Sequence, residues 1–380
     1  MKGKILVTAS TVSHILNFHL PYLAQLRRQG WQVHVACGGT SVALDEAAEV
    51  IALPLKKQMA APENFRAARL LRERIRREGY ALIITHTALA AFFTRLAVKG
   101  LRKRPPVINM VHGYLFDDET PFLKRNILLW AEKLTAGETD LLLTMNRWDL
   151  EEARRERLGK RVDFVPGIGV DWDGKPWGTE QDRQEIRRGL GVSEEDFVLI
   201  YAAEFSGRKS QSVLIRAMTE LPQRAVLVLP GSGTELETCK ELARELGVAE
   251  RVRFPGYVKE MHRWYAAADA AVTASRSEGL PFNVMEAMYA GLPVVASAVK
   301  GHEDLIWPGE SGLLYPYGDS TACAEQIRRV MDDSALREKL TENARKDVLQ
   351  YGLETVLPQV MERYLELLPR EDGVTAGKEG

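Results

Sequence analysis

The sequence predicts an α/β chain of two domains, each a parallel sheet covered by helices. Three observations lead there. Short apolar runs alternate with helical patterns from one end of the chain to the other. The runs are continuously apolar, as strands buried on both faces must be. The pattern also breaks once, near residue 170, and then restarts. A length of 380 residues exceeds one ordinary core and suits two of about 150–200 residues.

The first half opens with KILVTA (4–9), an amphipathic stretch to Gln29, and WQVHVAC (31–37). ALIIT (81–85), VINMV (107–111), LLLTM (141–145) and VDFVP (162–166) follow, each after a segment long enough for a crossover helix. PGIGVDWDGKPWG (166–178) has no period and reads as a hinge. The alternation then resumes with FVLIYAAEF (197–205), AVLVLPGSG (225–233), RVRFPGYV (251–258), DAAVTAS (269–275) and PVVAS (293–297). These limits predict Rossmann-like domains at 1–168 and 178–350. A last helix at about 352–370 is expected to pack back on the first domain, ahead of a frayed polar tail.

No apolar run approaches the roughly 20 residues of a membrane span, and MKGKILVTAS reads as a strand, not a leader. Cys37, Cys239 and Cys323 are odd in number and widely spaced, so neither a disulfide framework nor a zinc site is expected, and the cytoplasm is the expected compartment. The net charge of −1 hides an asymmetry: residues 1–170 carry an excess of nine basic groups. Solvated helix faces account for this, or else a patch toward anionic headgroups on the inner face of the cell membrane or a diphosphate-bearing acceptor. No nucleic-acid partner is expected.

In Rossmann-like halves, ligands bind outside the carboxyl ends of the strands. A dinucleotide fingerprint would put glycines just after the first strand. This chain has Ser10, Thr11, Val12, Ser13 and His14 there, so a dehydrogenase is disfavoured. The most informative stretch is SRSEGLPFNVMEAMYAGLPVVAS (275–297). Pro281 suits a first helical position, with Gly291 ending the helix. Gly279 and Leu280 offer no side-chain cap, so the first-turn amides need another acceptor, which a diphosphate would supply. Glu278 precedes the helix and Glu286 lies on it; two carboxylates beside an anion are wasteful unless sugar and ribose hydroxyls donate to them.

E-G-L-P-F-N-V-M-E-A-M resembles the paired-glutamate motif of family-4 retaining glycosyltransferases of the GT-B fold, two Rossmann-like domains with an interdomain cleft. The resemblance implies that Glu278 stands beside the donor sugar and Glu286 at the nucleotide ribose, with Gly279, Leu280, Pro281, Phe282 and Asn283 around the diphosphate. AEFSGRKSQSVLIRAM (203–218) is similar to the family's phosphate-binding segment, with Lys209 as its lysine and Arg208 assisting. Glu204 departs from the pattern, because many members carry an arginine near that position. PGSGTE (230–235) resembles the glycine-rich turn of the donor pocket, with Gly231 in it. Tyr257 and Val258 fall where the nucleobase is received.

In the first half, VHGYLF (111–116) places His112 just past an apolar strand, where the family has a histidine touching sugar or acceptor. Ser13 and His14 are acceptor-side candidates or caps of the first helix. KGHEDLIWPGESGLLYP (300–316) is read as structural. The catalytic set implied is therefore His112, Lys209 and Glu278, with no metal. Asp117, Asp118 and Glu119 look solvated.

The function implied is retaining transfer of a hexose or N-acetylhexosamine from a nucleotide-sugar donor, UDP-linked, with no separate cofactor. The acceptor is a soluble glycan or a polyprenyl-diphosphate-linked sugar, since several segments most resemble bacterial exopolysaccharide and capsule enzymes. Two other classes stay open: a nonhydrolysing UDP-sugar epimerase and a non-catalytic sugar-nucleotide-binding protein.

Overall fold

The computed structural model describes residues 2–39, 42–173 and 177–368. The chain divides into two compact units, Met1–Ile168 with Thr355–Gly380, and Gly169–Glu354.

The first unit holds a seven-stranded sheet, numbered in chain order: β1 (Gly3–Ala9), β2 (Trp31–Gly38), β3 (Glu49–Leu53), β4 (Leu82–His86), β5 (Val107–Met110), β6 (Leu141–Thr144) and β7 (Arg161–Phe164). All pairs are parallel, in the order β3-β2-β1-β4-β5-β6-β7. The order reverses between β1 and β4, which makes their carboxyl ends the switch point where such sheets take ligands. The helix Leu353–Leu365 belongs to this unit. Its Tyr364 is buried against Tyr22, ring centroids 6.1 Å apart, and its hydroxyl lies 3.6 Å from Met110 Sδ.

The second unit holds six parallel strands: β8 (Phe197–Ile200), β9 (Ala225–Pro230), β10 (Val252–Gly256), β11 (Ala270–Thr273), β12 (Val294–Ser297) and β13 (Leu313–Tyr315). Their order is β10-β9-β8-β11-β12-β13, so its switch point falls between β8 and β11. Both sheet faces are covered. Phe197, Leu199 and Tyr201 enter one core and Val198 and Ile200 the other, as the two-residue side-chain period requires.

Two strands are absent from the sequence reading, and both lie at sheet edges. Glu49–Leu53 is mostly half-buried and opens on a glutamate, so it lacks a continuous apolar signature. Leu313–Tyr315 has three residues, too few to register as a period. Part of the expected hinge (174–176) and the polar tail from 369 onward lie outside the described residues. Within the described part of the hinge, residues up to Ile168 belong to the first unit, whereas Trp172 stacks on Tyr289 of the second at 4.4 Å and 3°.

Candidate active site

In the second unit the switch point brings three charged side chains together. Arg208 and Lys209 lie in the loop leaving β8, and Glu278 in the loop leaving β11. Lys209 Nζ donates to Glu278 Oε1 at 2.5 Å, and Arg208 Nη1 donates to Glu278 Oε2 at 2.9 Å. Glu278 is 8% exposed and the Lys209 side chain 12%, whereas Arg208 is 48% exposed. Burial opposes ionisation of Glu278, but the two cations outweigh it and hold the carboxyl down at about 2. Burial also draws the Lys209 ammonium below the lysine range, against the pull of Glu278.

Each carboxylate oxygen of Glu278 thus accepts from a cation of the protein itself, one from an ammonium and one from a guanidinium. Arg208, the residue next to Lys209, is the second cation on this carboxylate. Glu204, at the departing position, is exposed, and its carbonyl accepts from Gln211 Nε2 at 2.9 Å.

The backbone around the trio is built for close approach. Gly231 has φ +152, and a Cβ there would stand 2.0 Å from the carbonyl oxygen of Ala203. Its N–H donates to Gly256 O at 2.8 Å. The loops after β8, β9 and β10 are thereby joined, and Tyr257 (73% exposed) and half-buried Val258 emerge at the same carboxyl edge. Gly301, with φ +83, backs the trio directly: a Cβ there would lie 2.9 Å from both Glu278 Cβ and Gly279 O. The KGHED segment, read from sequence as structural, therefore sets the position of the glutamate. Its His302 is fully buried, bonded to Ser297 O at 2.8 Å, and held down at about 4 chiefly by burial.

The helix after Glu278 spans Phe282–Tyr289, with Gly291 in a positive-φ conformation just past its end. Pro281 is its N-cap rather than its first residue, and no side chain caps it. Leu280 is half-buried against the second core. Asn283 Nδ2 donates to Ala202 O at 3.3 Å, tying the helix start to the β8 loop. Glu286 is half-buried and accepts from Tyr265 Oη at a long 3.4 Å. Two cations beside the start of a helix form an anion-binding arrangement, with the macrodipole acting in the same sense.

In the first unit the switch point holds four of the chain's seven histidines. His14 follows β1, His19 joins the helices Val12–Phe18 and Leu20–Arg28, His86 ends β4, and His112 follows β5. His86 Nδ1 and His112 Nε2 are 3.1 Å apart, and His19 stacks on His86 at 3.7 Å. His14 meets His112 edge-on at 4.8 Å. His19 and His86 are each 1% exposed. Burial pushes all four pKa values down, His14 to about 4, and neighbouring imidazoles add to the effect on His19, His86 and His112. Both ring nitrogens of His19 and Nε2 of His14 are buried without a hydrogen-bond partner among the described residues. Such groups cost about 1–3 kcal/mol each.

Neither Ser13 nor His14 caps the first helix. Thr11 does, its hydroxyl accepting from His14 N at 3.3 Å. Ser13 is exposed, its hydroxyl 3.0 Å from that of Thr11. Sequence reasoning missed His19 and His86. LIITH and VINMVH both end in a histidine just past an apolar strand, a signal that gains meaning once β4 and β5 are known to be neighbours.

A different surface is apolar and exposed. Along the helix Phe122–Ala136, Phe122, Leu123, Ile127 and Trp130 are 83%, 72%, 59% and 63% exposed, and Leu115 just before it is 63% exposed. Positions 123, 127 and 130 share one helical face. The basic run is less available: Arg72 bonds the carbonyls of Ala97 and Lys99, Arg74 pairs with Glu49 and Glu78, and Arg104 with Asp140. Asp117 accepts from Thr120 at 2.6 Å and Asp118 from Trp148 Nε1 at 2.7 Å. Among the described residues, no helix is long and apolar enough to cross a membrane.

Comparison with known proteins covers both units. Residues 20–167 match the glycosyl transferase 4-like domain, and residues 182–347 match glycosyl transferases group 1. The putative glycosyltransferase EpsD of Bacillus subtilis is 32% identical over 371 residues, spanning 96% of this chain and 97% of its own. The alpha-D-kanosaminyltransferase of Streptomyces kanamyceticus is 27% identical over 78% of this chain and 80% of its own. Among solved structures, Anabaena HepE in complex with UDP-glucose superposes with a TM-score of 0.78 at 21% identity, covering 95% of this chain and 99% of its own. The sucrose-phosphate synthase of Thermosynechococcus elongatus gives 0.78 at 22%, over 96% and 99%. The likeness to these two structures is one of fold, GT-B. Family matches over both units do not favour an epimerase.

Proposed function

The chain belongs to the group 1 family of glycosyltransferases, and on that premise we propose that it moves a hexosyl or N-acetylhexosaminyl unit from a UDP-sugar to a glycan hydroxyl with retention of configuration. The acceptor is a polyprenyl-diphosphate-linked or soluble glycan in exopolysaccharide synthesis. The observation that carries the donor assignment is the bracketing of Glu278 by Lys209 and Arg208 at the switch point of the second unit. UDP as the nucleotide is supported by the HepE complex with UDP-glucose.

In this mechanism the bond from the anomeric carbon to the diphosphate breaks as the acceptor hydroxyl attacks from the same face. The hydroxyl proton passes to a phosphate oxygen. Lys209 and Arg208 take up the charge left on UDP, with the start of the helix Phe282–Tyr289 acting in the same direction. Asn283 and Gly231 fix the loops around the phosphates, Glu286 accepts from ribose hydroxyls, and Tyr257 and Val258 receive the base. Glu278 holds the two cations in place and faces the sugar. His112, neutral through burial, accepts from a sugar or acceptor hydroxyl. Ammonium and guanidinium supply the neutralisation that a divalent metal would otherwise give, so transfer needs no metal and no cofactor.

A lipid-linked acceptor is supported by the exposed apolar face at Leu123, Ile127 and Trp130, which suits peripheral contact with the inner face of the membrane. The test is to offer UDP-glucose, UDP-galactose and UDP-N-acetylglucosamine with extracted lipid-linked and soluble glycans. Anomeric coupling in the product is then read by proton NMR. A product with the donor's configuration supports the reading; release of an epimer, or an inverted product, sinks it.

A further inference from the structure

We propose that His14, His19 and His112 form a site for one borderline divalent transition-metal ion of the zinc class, with His86 orienting the ligands. The donor set has the right chemistry, since neutral imidazoles are the common ligands of such ions and no hard carboxylate that would favour magnesium or calcium joins the three. The geometry fits as well. With Zn–N bonds of about 2.0–2.1 Å, the ring centres of three imidazoles in a tetrahedral site stand roughly 5 Å apart. Here the three separations are 4.9, 4.8 and 5.5 Å. One ligand nitrogen from each ring lies within 4.8 Å of the others. Metal bonding would draw these to roughly 3.4 Å, a closure of about 1.4 Å for the farthest pair, within reach of ring rotation.

The second observation is the orphaned buried nitrogens. His19 is 1% exposed, and neither of its ring nitrogens has a hydrogen-bond partner among the described residues; His14 Nε2 likewise has none. A metal would satisfy one of these nitrogens on each ring. His86 supplies the supporting shell, bonded to His112 at 3.1 Å and stacked on His19 at 3.7 Å, as outer partners do when they orient liganding imidazoles. Burial keeps the rings neutral, so their lone pairs are available without displacing a proton. The fourth position would be left for water or another ligand. All three ligands belong to the first unit, whereas the cations assigned to the diphosphate belong to the second. The proposal thus stands apart from the diphosphate site, and with the ion bound the free lone pair of His112 would go to the metal, the hydroxyl contact passing to the fourth position.

The test is a Co²⁺ titration of the tag-free full chain after chelator treatment and desalting, followed by visible absorption. The expected result is ligand-field bands that saturate at one equivalent and vanish when Zn²⁺ is added. His19→Gln and His14→Gln should each weaken Co²⁺ binding at least about tenfold, while His262→Gln, in the second unit, leaves it unchanged. Circular dichroism and melting temperature establish that the variants fold; His14 is partly exposed and serves if the fully buried His19 cannot be replaced. Absence of a saturable site, or binding undiminished in a folded His14→Gln or His19→Gln chain, overturns the proposal.

Discussion

Lys209 Nζ sits 2.5 Å from Glu278 Oε1, joining the loops that leave the two strands flanking the switch point of the second sheet. The contact links residues 69 apart in sequence and fixes the two side chains to which the proposed mechanism gives the phosphate and the sugar.

Breaking this pair should destabilise the second unit. Glu278→Ala leaves the Lys209 ammonium nearly buried without its partner, and about 3 kcal/mol of unfolding free energy should be lost in urea titrations. The double variant Lys209→Met/Glu278→Gln should lose less than the sum of its singles. Strict additivity would show that the pair is not coupled.

Acid stability should carry the same signature. The folded Glu278 carboxyl is held at about 2, against 4.5 for an unperturbed one. Between those pH values the unfolded chain binds a proton that the folded chain does not, so this group's contribution is full above about pH 4.5 and fades as pH falls toward 2. Wild type should therefore lose up to about 1.4 kcal/mol more per pH unit across that window than Glu278→Gln does. Parallel stability curves would refute the assignment.

Gly301→Ala should act through the glutamate. Its added Cβ would meet Glu278 Cβ and Gly279 O at 2.9 Å from a φ of +83. Turnover should fall at least about tenfold, with UDP affinity changed less than turnover. Wild-type turnover in a folded Gly301→Ala chain would remove Gly301 from the positioning of Glu278.

Chelation should leave transfer intact. Enzyme dialysed against EDTA should keep turning over, because the proposed mechanism gives the positive charge at the leaving group to Lys209 and Arg208. Activity that disappears and returns with Mn²⁺ would contradict this mechanism.

Replacing Ile127 and Trp130 by glutamate should abolish sedimentation with anionic vesicles and slow transfer to a lipid-linked acceptor, while turnover on a soluble acceptor stays the same. Both side chains are more than half exposed, so the melting temperature should not change. Undiminished vesicle binding would rule out this face as the membrane contact.

Much of the fold was legible because parallel strands such as Leu141–Thr144 are buried on both faces and must be apolar throughout. The edges were not, since Glu49–Leu53 and Leu313–Tyr315 need neither length nor continuous apolarity there. The uncapped helix start could be read from local pattern, and Glu278 and Lys209 were picked out by the family resemblance. The partner of Glu278 could not be read in either way, because it depends on β8 lying beside β11. For the same reason His19 and His86 escaped notice: only the adjacency of β1, β4 and β5 collects them around His14 and His112.

The most direct test is calorimetric titration of UDP, with ADP and GDP as controls, into wild type, Lys209→Ala and Glu286→Ala. The account predicts a single UDP site in wild type and little response to the other nucleotides. Each folded variant should bind UDP at least about tenfold more weakly, a loss of roughly 1.4 kcal/mol. UDP binding as tight in both variants as in wild type, or none in the folded wild type, would contradict the donor site at its centre.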